Sequence, residues 1–147
     1  MWKEVTMKVT KEVTFDSAHM LSNYSGKCQN LHGHTYKLQV TVEGPIAMEG
    51  NEKGMVTDFN NLKRVIDSVT ERFDHAIIFS DADNRGAAED ALLKWAQTYD
   101  MHYIILPYTK STSEYIASYI KIQIESAYPT KRISVKVWET PTSFAEV

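Results

Sequence analysis

Residues 28 to 43 read Cys28-Gln29-Asn30-Leu31-His32-Gly33-His34-Thr35-Tyr36-Lys37-Leu38-Gln39-Val40-Thr41-Val42-Glu43. From Thr35 onward the run alternates. Tyr36, Leu38, Val40 and Val42 share one parity, and Lys37, Gln39, Thr41 and Glu43 the other. A period of two marks a strand with one face in a core. Gly44-Pro45 ends it. If the strand starts early and has no bulge, His32 and His34 fall on its apolar face, because side chains two apart point the same way. A third imidazole from a neighbouring strand would complete a three-nitrogen set. Three protein ligands leave one position of a tetrahedral zinc open, the catalytic rather than the closed structural arrangement.

Upstream, residues 8 to 19 also alternate, with Val9, Val13, Phe15 and His19 in phase, so a strand should end at His19. Downstream, Glu49 to Gly54 is turn-like, and Asp58 can cap a helix over roughly 59 to 73 with a stripe of Leu62, Val65, Ile66, Val69 and Phe73. Residues 87 to 99 are weakly helical, with Ala88, Leu92, Trp95 and Tyr99 on one side. Tyr103 to Leu106 is short, apolar and closed by Pro107. Ser111-Thr112-Ser113-Glu114 has capping-box spacing and opens a helix carrying Ile116, Ile120, Ile124 and Ala127. In the last strand, Arg132 to Thr140, Ile133, Val135, Val137 and Glu139 share a face. The expected fold is α+β: one domain over 1–147, an antiparallel sheet with two main helices on one face. The edges of so short a sheet are exposed, and self-association would close them.

With 147 residues the chain can bury its own core. A net charge of −3 without a long basic run argues against nucleic acid or a membrane surface as partner. No stretch is apolar for long enough to span a bilayer. One cysteine cannot form an internal disulfide, which fits a reducing compartment. Met1-Trp2-Lys3-Glu4-Val5-Thr6 lacks the apolar run of a signal peptide, so a cytoplasmic location is expected.

Each candidate residue has a plainer reading beside the chemical one. A histidine pair with one residue between is weak evidence alone, since partly buried imidazoles often bond backbone. The cupin fold shares this spacing but wants a carboxylate three or four residues on, where Lys37 and Leu38 stand. Cys28 is either a small buried hydrophobe or a thiolate favoured by a nearby cation or metal. Asp74-His75 is either a helix C-terminal cap or an oriented acid–base pair. Glu139 is either an end-of-strand residue in solvent or a carboxylate receiving paired N–H donors from a flat heterocycle. Thr112 and Ser113 are otherwise capping residues.

Five motifs occur in order: Cys28 to His34, Gly54-Met55-Val56-Thr57-Asp58-Phe59, Phe73-Asp74-His75, Thr112-Ser113-Glu114, and Trp138-Glu139-Thr140-Pro141-Thr142-Ser143. Together they resemble the 6-pyruvoyl-tetrahydropterin synthase family over about residues 8 to 144. Within it the chain looks most like the bacterial branch that serves queuosine biosynthesis. The resemblance implies a tunnelling fold (T-fold) assembled as a barrel, a dimer of trimers making a homohexamer. It implies Zn2+ held by His19, His32 and His34. It also implies a catalytic set of Cys28, Asp74 and His75 built across a subunit interface, and a pterin pocket of Glu139, Thr112 and Ser113. The implied reaction is a zinc-dependent carbon–carbon lyase step. It would convert 7,8-dihydroneopterin triphosphate to 6-carboxy-5,6,7,8-tetrahydropterin, releasing acetaldehyde and triphosphate. The alternatives are triphosphate elimination alone, or a non-catalytic zinc- or pterin-binding oligomer. The family usually has Asn-Pro where Lys110-Ser111 stand here, and Lys110 could add a phosphate contact.

Overall fold

The computed structural model describes residues 4–147, so the Met1 to Lys3 part of the N-terminal reading lies outside the described residues. Two long strands, β1 (Thr6–His19) and β2 (His32–Pro45), pair antiparallel with continuous register from Thr6↔Pro45 to His19↔His32. The register has no bulge, so the alternation of Tyr36 to Val42 extends back unbroken through His34 and His32. Phe15, Tyr36, Leu38, Val40 and Val42 are buried on one face, and the opposite parity stays polar, with Gln39 donating to Glu12 at 2.9 Å.

Helix α1 (Phe59–Thr70) starts at Asp58, whose side chain accepts from the Asn60 N–H, a cap that contributes about 1 kcal/mol. It buries Leu62, Ile66 and Val69 against the sheet. It ends three residues earlier than its apolar stripe suggests. Phe73 still reaches the core, from the turn after the helix. Strand β3 (Ala76–Phe79), helix α2 (Ala87–Thr98) and strand β4 (Tyr103–Ile105) follow. Helix α3 (Ser113–Glu125) buries Ile116, Ala117, Ile120 and Ile124 over β5 (Arg132–Thr140), which pairs with β2. Strand β6 (Ser143–Glu146) folds back on β5. Each fully buried aliphatic side chain in this layer contributes roughly 1.5–3 kcal/mol.

The six strands run in the order β4-β3-β1-β2-β5-β6. The expectation of an antiparallel sheet is corrected, while the weakly helical stretch 87–99 does form a helix beside the two main ones. β3 is parallel to β1 and β4 is parallel to β3, so the sheet is mixed. Parallel neighbours need a crossover, and α2 supplies it between β3 and β4 as the third helix. The face assigned to α2 is also corrected. Glu89, Leu93 and Ala96 are buried, while Trp95 and Tyr99 are exposed and meet each other at a tilt of 48°. Glu89 decides this face. Its buried carboxylate accepts from the Ser80 N–H and the Ser80 hydroxyl, both at 2.8 Å, and from the Ser22 hydroxyl. Among the described residues, no helix is long and apolar enough to cross a membrane.

Candidate functional site

β1 and β2 bring His19 and His32 face to face as a register pair, and His34 follows two residues along β2. The three rings lie with centroids 4.7, 5.3 and 4.9 Å apart. Backbone carbonyls fix two of them. His19 Nδ1 lies 2.6 Å from Ser111 O, and His32 Nδ1 lies 2.7 Å from Asn30 O. A carbonyl oxygen only accepts, so each Nδ1 carries the hydrogen and each Nε2 presents a lone pair. Those two Nε2 atoms stand 3.1 Å apart. Facing lone pairs repel unless a proton or a cation lies between them. Protonation is opposed at His19. Burial pushes its pKa below the usual 6.5, against the pull of the Ser111 bond, and neighbouring His32 lowers it further.

Glu139, at the end of β5, completes the cluster. It lies one step beyond the Lys37↔Trp138 pair, beside Tyr36 and His34. Its Oε1 is 3.0 Å from His34 Nε2, yet off hydrogen-bond geometry, so that buried nitrogen has no hydrogen-bond partner. Burial lowers the His34 pKa, with the Glu139 charge opposing. One donor atom each from His19, His32, His34 and Glu139 lies within 4.8 Å of all the others. The separations of 3.1 and 3.0 Å are close to the roughly 3.3 Å between ligands held about 2.0–2.1 Å from a tetrahedral zinc. Neutral imidazoles with oriented Nδ1–H groups and a carboxylate are the donor set that suits a divalent cation.

The second Glu139 oxygen accepts from the Ser113 hydroxyl at 2.5 Å. Beyond it opens a cleft of about 300 Å³ lined by Ser113, Glu114, Glu139, Thr140, Ser143 and Phe144. Glu139 therefore divides the cluster from this cleft. Thr112 is the N-cap of α3, but its side chain makes no capping bond. The capping box expected from Ser111 to Glu114 is corrected with it. Ser111 is buried and lends its carbonyl to His19 instead.

Cys28 sits half-buried in a single 3-10 turn, Lys27–Gln29, and is no part of the four-residue cluster. Tyr36 connects the two regions. Its hydroxyl is buried without a hydrogen-bond partner, and burial, then Glu139, then Cys28, all push its pKa up. Lys110 is tied to the chain leading into the Cys28 turn. Its Nζ donates to Ser22 O at 2.7 Å, so its ammonium serves that loop here.

Asp74 and His75 form a unit of their own. Asp74 Oδ1 accepts from the Asp16 N–H at 2.9 Å, which holds its carboxyl below the usual carboxylate range, and His75 Nδ1 lies 3.1 Å from Oδ2. His75 has φ 57°, a backbone conformation that non-glycine residues seldom adopt and that gathers at functional sites. His102, which sequence reasoning missed, adds its Nδ1 3.1 Å from Asp74 O. None of the hydrogen bonds or ion pairs of Asp74 and His75 among the described residues involves Cys28, His19, His32 or His34. Another cleft, about 510 Å³ beside Met7, Ile46, Met55 and Phe59, holds none of these residues.

Sequence signals for the missed parts were uneven. Ser111 and Asn30 act through their backbones, so their side chains gave no clue. Tyr36 was legible in principle, in phase with His32 and His34.

Known proteins resemble this chain along nearly its whole length. Residues 8–147 match the family model described as 6-pyruvoyl tetrahydropterin synthase. A Haemophilus influenzae protein named 6-carboxy-5,6,7,8-tetrahydropterin synthase is 40% identical over 140 residues, covering 95% of this chain and 96% of that one. A Synechocystis protein of the same name is 33% identical over 139 residues, covering 93% and 89%. The solved structure of Plasmodium falciparum 6-pyruvoyl tetrahydropterin synthase superposes with a TM-score of 0.72 at 25% identity, covering 97% of this chain and 96% of that one. With the family model spanning nearly the whole chain, this protein belongs to the 6-pyruvoyl tetrahydropterin synthase family.

Proposed function

We propose that the chain is a 6-carboxy-5,6,7,8-tetrahydropterin synthase. It would take 7,8-dihydroneopterin triphosphate and release acetaldehyde and triphosphate in the cytoplasm, in the route to queuosine. The observation that carries the reading is the donor cluster of His19, His32, His34 and Glu139 standing beside a cleft whose wall is Glu139 itself. The names of relatives up to 40% identical support the choice of reaction.

His19, His32 and His34 would hold Zn2+, with Ser111 O and Asn30 O orienting the first two rings. When bound, the zinc supplies Lewis-acid polarisation of the substrate's side-chain oxygens. Glu139 receives the N–H donors of the pterin ring, and Ser113 steadies the carboxylate from the other side. Thr112 lies at the rim of the same pocket. Cys28, as thiolate, takes a proton from the substrate side chain. Asp74 and His75 move a proton on the opposite face. Their own contacts lie with Asp16 and His102, and a neighbouring subunit would supply them to Cys28. A hexamer made of two trimers, each closing its sheet edges into a barrel, provides that neighbour.

Mass spectrometry of the product formed from 7,8-dihydroneopterin triphosphate tests the reading. A carboxylated tetrahydropterin with acetaldehyde is expected. Loss of triphosphate with all side-chain carbons retained would replace it with the 6-pyruvoyl reaction.

A further inference from the structure

Glu139 faces two ways. Oε1 lies 3.0 Å from His34 Nε2, inside the donor cluster, and Oε2 takes the Ser113 hydroxyl at the wall of the 300 Å³ cleft. Its carboxylate is the fourth donor beside the three imidazoles, with an oxygen within 4.8 Å of a ligand atom on each ring. A carboxylate whose oxygen is bound to a cation cannot also give both oxygens to the paired N–H donors of a heterocycle. The two uses exclude one another, and the side chain is partly exposed and lines the cleft.

We propose that Glu139 is a gating ligand. Without a pterin it closes the fourth position of the metal; a pterin in the cleft draws it off and opens that position to the substrate. This rests on the metal and pterin assignments made under the proposed function. The resting metal is thereby shielded from adventitious ligands, and the coordination site opens only when the ring is seated. Linkage makes the effect reciprocal. A pterin ring must weaken metal binding by the same factor by which metal weakens pterin binding.

The test uses 6-methylpterin, which has the ring donors but no side-chain hydroxyls to reach the metal. The metal-stripped oligomer is titrated with Zn2+ against a chromophoric chelator, with and without saturating 6-methylpterin. Calorimetry follows pterin binding to the metal-free and metal-loaded forms. The expected result is roughly tenfold weaker Zn2+ binding with 6-methylpterin present, within the usual range of coupling between two sites. In Co2+-loaded protein, 6-methylpterin should shift the visible d–d bands. Glu139→Gln should show the shifted bands with no pterin present and should bind Zn2+ more weakly than wild type. If 6-methylpterin binds but leaves Zn2+ affinity and the Co2+ bands unchanged, the gate is refuted while the pocket and metal assignments stand. If Zn2+ or 6-methylpterin fails to bind at all, the corresponding assignment falls and the gate with it.

Discussion

The Nε2 atoms of His19 and His32 stand 3.1 Å apart while the Nδ1 of each ring donates to a backbone carbonyl, Ser111 O and Asn30 O. Two oriented lone pairs at that distance form a prepared cation site. Removing one ring leaves the other without its partner ligand. His32→Ala should therefore lose most of the metal, while wild type purified without chelator carries one equivalent of zinc per chain. Elemental analysis decides this. Full metal content in the variant would overturn the assignment.

The same rings set a dependence on pH. In the folded protein His19 and His34 have pKa values below 6.5, chiefly because burial disfavours the charged imidazolium. Below pH 6.5 the unfolded chain takes up protons at these positions that the native state does not. Their contribution to stability is thus present above the unfolded value and is lost as pH falls through the folded one. Metal-stripped protein should melt at progressively lower temperature from roughly pH 6.5 downward. His34→Gln, lacking one of the two groups, should show a shallower fall. Identical slopes for wild type and variant would mean that His34 titrates as freely folded as unfolded.

Cys28 tests the division of labour. It lies in the 3-10 turn before β2 and outside the donor cluster. Cys28→Ala should keep the zinc and the oligomer and lose turnover by at least a hundredfold, the lower range for a proton-transfer group. Loss of zinc would make the thiol a fourth ligand and contradict its role as base.

How much of this was legible depends on what each residue uses. The strand period of two placed His19, His32, His34 and Glu139 on core-facing positions, and the bulge-free β1–β2 register bears that out for the three histidines. The same period could not say that Glu139 would meet His34, because strand pairing between β2 and β5 is a long-range choice. β3 was missed because Ala76, Ile78 and Phe79 are all buried, which removes the alternation that marks a half-buried strand. β6 was missed for the opposite reason, being mostly exposed. The face of α2 was misread because an apolar stripe outranked a glutamate, yet Glu89 is the residue with partners waiting inside.

His75 stores strain for its position. It holds φ 57°, which costs a non-glycine residue about 1–2 kcal/mol. Its side chain is mostly exposed, and its pairing with the Asp74 carboxylate is a surface pair of small value. His75→Gly relieves the backbone at the expense of some chain entropy. Its stability should equal or exceed wild type by up to about 1 kcal/mol, while turnover is lost. Denaturant titration beside an activity assay separates the two. A clear drop in stability would show that His75 is there for the fold.

Tyr36 is the last unexplained polar group of the core. Its ring stacks on Phe15 with centroids 5.2 Å apart, and its hydroxyl is buried with no hydrogen-bond partner. A buried unpaired hydroxyl costs about 1–3 kcal/mol relative to one in water, and removing it while keeping the ring recovers part of that. Tyr36→Phe retains the stack with Phe15 and the edge contacts with His34 and His19. In metal-free, pterin-free protein it should be as stable as wild type or more stable, by up to about 1 kcal/mol. Chemical denaturation of the two proteins at equal concentration measures this directly. A variant less stable by more than about 1 kcal/mol would mean that the hydroxyl donates to a partner in solution. Glu139, whose charge it already feels, would then be the first acceptor to examine by the double variant with Glu139→Gln.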